Sequence, residues 1–544
     1  MKKIITILLI LFVIISFPYA QETEESAAEQ PDQEGIDVEP DEPGIVLPPM
    51  FLEIEDVTVE NIEAVLPEDA EVLATDIAVP LPQEGQLAIN DEAFDLPESE
   101  IQGTRVSEGE TASFFSEGMI GVGSMNTITG SISLYKLGED PRFRLLFGHT
   151  GLDGYAFRPQ GSGFFSREEV LQGEGSMNTD VLALEGSASY TEKEEGTQQL
   201  TSWDSATYRF IQAGADISYN ITESITASAG LDLDTVSQVL SGGAPETRGE
   251  LVLFPEAAIG YNAHNWSVGI RGDYRYAFLS GVSGYQNQGL QGAIYLTGLL
   301  PFGLQIDSDV GVFWSPDLAF LYPFSVSVSG TAWNSFSYEV YGGFSVSPSS
   351  YSAFWQENPF VYTGTILGYD RYWEAAGQFS WNIISTLFWD TGLIFRRYDT
   401  EYYRIGSVCS ETGMYPVSYG RRNSLSSQLG ISWSWSTMLT LDFGWDWNIL
   451  DRIPNEDAHN LSFSADYTFP DGTLGGTLVF SYQMSDTVTL PFIDLSGYFR
   501  MSEGVQLVLE GWDLLAPVLE NGRPNWGPFI APGFRVVFKA QISI

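Results

Sequence analysis

The chain has 544 residues, a formal net charge of -48, a single cysteine (Cys409) and 14% aromatic residues. So acidic a chain, with no basic patch, excludes a nucleic-acid binder held by phosphate contacts, and one thiol excludes an intramolecular disulfide. His149, His264 and His459 are the only histidines and lie far apart in sequence, so nothing signals a catalytic or metal site, and neither a cofactor nor an enzymatic activity is expected.

Residues 1–20 read as a secretory signal. Lys2 and Lys3 precede a nearly unbroken apolar run over residues 4–17. That run is shorter than the roughly 20 residues a membrane helix needs, so it directs export, with cleavage after Ala20.

Residues 21–110 are acidic and Pro-rich, with 27 Asp and Glu against one basic residue, Arg105. Trp and Tyr are absent, and Phe occurs only at Phe51 and Phe94. Such a segment cannot bury enough apolar surface to offset its ordering entropy, which predicts a disordered periplasmic tail. Within residues 48–82 one stretch, Leu52, Ile54, Val57, Val59 and Ile62, is apolar among its acids. It reads either as a docking strand for a periplasmic protein or as a solvated tail with incidental apolar residues.

Residues 111–544 change character and follow period two. Ile211, Ala213, Ala215, Ile217 and Tyr219 alternate with Gln212, Gly214, Asp216 and Ser218, and other segments do the same. The clearest is residues 429–450. Its odd positions are Leu429, Ile431, Trp433, Trp435, Leu439, Leu441, Phe443, Trp445 and Trp447. Ser, Thr, Asp, Gly and Asn fill the even positions, as in a strand with one apolar and one polar face. A turn at Ser436, Thr437 and Met438 is expected, with Trp435 opposite Leu439. Around Asp471 and Gly472 the apolar parity switches from odd to even, as a two-residue Asp-Gly turn requires.

Long and short connections alternate along this region, which predicts an all-β, transmembrane, antiparallel up-and-down barrel. About 20 strands are expected, within a range of 16 to 22. Both ends then lie on the periplasmic side, which requires an even number. Residues 151–179 stand out as a long link on the side of the short turns, expected to fold into the lumen. No linker interrupts the region, its polar faces suit a wetted lumen, and its aromatic residues crowd near strand ends as interface girdles do. Trp433, Trp435, Trp445 and Trp447 are the candidates for that lipid-facing girdle. The partner is outer-membrane lipid, and the location is the cell outer membrane with the tail in the periplasm.

Two stretches carry a resemblance. Residues 496–544, with Trp512-Asp513-Leu514-Leu515 and Pro532-Gly533-Phe534-Arg535, resemble the closing strands of TonB-dependent receptor barrels. Residues 118–136, GMIGVGSMNTITGSISLYK, are similar to that family's plug-to-barrel junction. The resemblance implies a wide outer-membrane barrel that takes up a small solute. It covers the barrel only, since residues 21–110 are too short, acidic and Pro-rich to match the family's folded plug.

Two functions follow. One is transport, as a channel or a receptor-like uptake protein for a small solute, with the tail docking a partner. The other is a non-transporting anchor or scaffold whose tail recruits a periplasmic complex.

Overall fold

In the computed structural model the period-two segments become strands of one closed antiparallel barrel. Residues 113–543 are described, apart from 139, 244, 281–285, 302, 333–334, 363, 365, 405–406, 410–411, 451–456, 485–489, 520–521 and 525–527. Of the 24 strands, Leu318–Leu321 only extends a hairpin and Val361–Tyr362 belongs to a loop; the other 22 form the wall. They range from Val505–Trp512, with 8 residues, to Tyr415–Ser436, with 22.

Closure is a direct strand pairing. Ser113–Gly123 pairs with Arg535–Ser543, Gly121 facing Lys539 and Ile120 facing Ala540. The seam is tight at Gly121, where a Cβ would come within 2.7 Å of Lys539 Cγ and 2.8 Å of Thr129 Cγ2. A closed wall leaves no edge strand with unpaired backbone groups.

The expected 20 strands lie close to the observed 22, and one missed strand lies within residues 151–179. That stretch is no luminal link: it holds the Phe165–Asn178 strand and a loop at 154–164. The outward positions of this strand read Arg167, Glu169, Leu171, Gly173, Gly175 and Met177, so charge and glycine hide the alternation. The Trp-rich hairpin differs in detail. Ser436, not Trp435, faces Leu439 across a two-residue turn, and a β-bulge between Ser434 and Ser436 accommodates the extra residue. An inserted residue restores the parity that a two-residue turn alone would invert. The turn at Asp471 and Gly472 is not a two-residue loop: the Phe469 N–H donates to the Leu474 carbonyl at 2.8 Å around four residues, 470–473, with Gly472 at φ +66, and four loop residues switch the parity as two would.

One end of the barrel is closed by turns such as 223–224, 385–386 and 437–438. Longer connections, including 154–164, 349–368 and 513–534, gather at the other end. Both termini of the wall lie at the short-turn end, as an even strand number requires.

A loop-built cap over an acidic lumen

The inward face of the wall changes composition along single strands. On Ser205–Thr222 the inward residues run Ala206, Tyr208, Phe210 near the long-loop end, then Gln212, Gly214, Asp216. Ile225–Ser241 mirrors it, with Leu240, Gln238 and Val236, then Asp234 and Asp232. The apolar upper part is a docking surface for loops. Tyr208, Phe210, Val236, Leu240, Leu279 and Val417 on the wall share one buried cluster with Trp203, Tyr351, Trp355, Phe360, Met414 and Phe529. Wall positions on different sides of the barrel meet in that cluster, so the loops fold inward and cap the mouth.

The central piece of the cap is a strap, residues 349–362. Ser350 caps the short helix Tyr351–Glu357, its side chain accepting the Ala353 N–H at 3.2 Å. Glu250 of the wall accepts the N–H groups of Tyr351 at 2.8 Å and Ser352 at 3.2 Å, placing a carboxylate at the positive end of the helix. The Trp355 indole donates to the Val361 carbonyl at 3.0 Å, and Gln238 donates to the same carbonyl at 3.2 Å. The Tyr208 hydroxyl donates to the Pro359 carbonyl. Val361–Tyr362 then pairs in parallel with Tyr415 and Pro416, and the Tyr415 N–H donates to the Phe360 carbonyl at 2.8 Å.

Two other loops complete the closure. Gln198 donates to the Tyr155 hydroxyl and to the Ile530 carbonyl, both at 2.9 Å, and accepts the Ile530 N–H at 2.9 Å. Arg523, 1% exposed, makes two 2.6 Å bonds to the Asp513 carboxylate and donates to the carbonyls of Leu490 and Pro491. Burial raises the Tyr155 hydroxyl well above its ordinary pKa, so it stays protonated while it accepts the Gln198 N–H.

Below the cap the lumen is polar and mainly acidic. Glu185 faces Asp216 across neighbouring strands, and Glu256 faces Asp273. Gly230 stands between Asp216 and Glu256, and a Cβ there would lie 2.5 Å from Asp216 Oδ1. A recess of about 440 Å³ in the wall is lined by Arg144, Glu174, Gln212, Asp232 and Asp234, among others. Some acids are paired, as in Arg271–Asp309 at 2.6 Å and Lys539–Glu510 at 2.7 Å. Among the described residues no group of His, Cys, Asp and Glu is arranged to hold a metal ion.

The four tryptophans lie on the apolar, outward parity of one hairpin. Trp433 and Trp435 pack near the short turn with their rings tilted by 39° and centroids 4.6 Å apart, and Trp435 is 63% exposed. Trp445 and Trp447 stack toward the other end at 5.8 Å, and the Trp445 indole donates to His459 Nδ1 at 3.2 Å. Leu52, Ile54, Val57, Val59 and Ile62, with the signal and the tail, lie outside the described residues. No period in the sequence marks the residues of the cap, and the shift from Tyr208 and Phe210 to Gln212 and Asp216 on one strand face is their signal.

No family model matches the chain, and no curated protein does. Solved structures do. The ferric enterobactin receptor PfeA of Pseudomonas aeruginosa matches with a TM-score of 0.60 at 9% identity, over 80% of this chain and 81% of that one. The copper transporter OprC matches with a TM-score of 0.61 at 9% identity, over 80% of each chain. The alcaligin receptor FauA of Bordetella pertussis gives 0.55 at 12% identity, over 79% of this chain and 76% of that one. At such identities the likeness is one of fold. This chain folds as the outer-membrane β-barrel of the TonB-dependent receptors.

Proposed function

We propose that this barrel carries a small solute across the outer membrane, with the capped end outside and the short turns in the periplasm. The observation that carries the reading is the cap: inward-folded loops with their own apolar core close one mouth of an otherwise polar lumen. A wall that only anchored a partner would not need a lined passage beneath a lid. Carboxylates on adjacent luminal strands favour a cationic solute over an anionic one. The names of the structural neighbours, receptors and transporters of iron chelates and copper, support uptake as the class.

In this reading Trp433, Trp435, Trp445 and Trp447 form part of the aromatic girdles at the two lipid interfaces. The tail docks a periplasmic protein through Leu52, Ile54, Val57, Val59 and Ile62, and a pull-down with residues 21–110 that captures nothing removes that part. The alternative is a non-transporting anchor whose tail recruits a periplasmic complex. Planar-bilayer conductance of the purified chain separates the two. Transport requires conductance that rises when the strap is replaced by a flexible linker, with cations passing more readily than anions. A barrel that stays silent with the strap removed supports the anchor.

A further inference from the structure

We propose that the strap, residues 349–362, is the part of the cap that moves, held as a releasable clasp by Tyr208, Gln238 and Glu250 of the wall. The proposal rests on the transport reading and names its gate.

The wall recognises the strap mainly through its backbone. Glu250 takes two N–H groups at the start of the helix, and Gln238 and Tyr208 give protons to carbonyls at its far end. Yet the same seam leaves buried polar atoms unmatched. Gln238 Oε1, Glu250 Oε1 and, on the strap, Asn358 Nδ2 have no hydrogen-bond partner within the protein. Their residues are 1% to 2% exposed. An unmatched polar atom in a low-dielectric site opposes closure, because it regains water when the site opens.

The other seams differ. Both ends of the Gln198 amide are engaged, and all three Arg523 nitrogens have acceptors. At those seams the polar contacts and the apolar contacts act together. At the strap they act against each other: Trp355 and Phe360 favour closure, and the unmatched groups favour opening. The strap therefore parts first. Lifting it takes Trp355 and Phe360 off the mouth and uncovers Asp234 and Glu250 at the top of the acidic wall.

The test uses the full chain in planar bilayers, with Cys409→Ser as background. Asp234→Cys with Ser352→Cys joins the strap to the wall, since these two side chains are hydrogen-bonded. Gln198→Cys with Ile530→Cys joins two other loops across their own seam. A third variant replaces residues 350–360 by a Gly-Ser linker. The expected result is loss of conductance when the 234–352 disulfide forms, recovery on reduction, and little change from the 198–530 disulfide. If the linker variant conducts but the 234–352 bond changes nothing, the strap is not the gate and the transport reading stands. Equal silencing by both bonds shows a cap that moves as one body and overturns the proposal. Silence of the linker variant removes both the gate and the transport reading.

Discussion

Phe360 of the strap lies flat on Phe529 of the 513–534 loop, with ring centroids 3.6 Å apart and planes within 4°. Both side chains are essentially inaccessible to solvent, and Tyr415 packs against the same Phe529 ring at 6.3 Å. Two connections and the first residue of a wall strand, far apart in sequence, thus meet in the cap. Wall strands are held by ladders of backbone bonds whatever the loops do. The cap depends on side chains such as these.

Phe529→Ala should therefore open the cap without loosening the wall. Truncating a fully buried Phe costs about 3–5 kcal/mol, roughly a hundredfold or more in a local opening equilibrium. The readout is hydrogen exchange at Tyr415, whose N–H donates to the Phe360 carbonyl at 2.8 Å. Its protection should fall by about that factor, while amides of Ser205–Thr222 keep theirs. Unchanged protection at Tyr415 would show that the ring pair does not hold the strap.

Arg523→Ala should release the 513–534 loop by a different route. It leaves the Asp513 carboxylate, 5% exposed, without its cation. Breaking a buried pair from one side costs about 3–5 kcal/mol, chiefly because the remaining charge is stranded. Chymotryptic cleavage at Phe529 should accelerate strongly. Adding Asp513→Asn, which tolerates the positive φ of +44 at this site, should recover part of the loss. If the double variant is cleaved as fast as the single one, stranded charge is not the cause.

The wall was legible because one side of each strand has a uniform neighbour. Residues such as Ile211, Leu231, Ile259 and Ile294 stay exposed and apolar along the outward face, and simple alternation records that. Legibility failed where the outward face changed medium. Beyond the apolar band Arg167, Glu169, Glu192 and Glu194 point outward, so the strands continue while the pattern stops. The cap was harder still, because Trp355, Phe360 and Phe529 meet through tertiary contacts with no period. A sequence shows such loops as irregular and aromatic, and only the fold brings the rings together.

Acid should tighten the cap. Burial pushes the Glu195 carboxyl up to about 7, despite the 2.7 Å bond from the Ser166 hydroxyl and the nearby Lys193, and Glu168 and Glu194 add to the rise. Burial likewise pushes Asp370 up to about 6, against the N–H that Tyr402 donates. In the open cap both groups regain ordinary carboxyl behaviour. Closure is therefore most stable below about pH 4, and that advantage is lost as pH rises through about 6 to 7. Protection of the Tyr415 amide, taken against the intrinsic exchange rate at each pH, should fall across that window. Glu195→Gln, permanently neutral, should flatten the part of the response centred near 7, and an unaltered profile would rule Glu195 out.

The depth of the Trp hairpin can be measured by placing charge along its outward face. Ile431 lies opposite Phe443 in mid-strand, and Trp435 lies beside the two-residue turn. If this face meets lipid, Ile431→Arg should cost about 2–4 kcal/mol in reversible refolding into vesicles, as an Arg near the bilayer midplane does. Trp435→Arg should cost only about 0–1 kcal/mol through charge, because that position sits at the interface, where an Arg side chain reaches the headgroups. The two depths are set by counting along one strand, so the contrast tests orientation and register together. Equal costs at the two sites would place both in the same medium and remove Trp433 and Trp435 from the girdle.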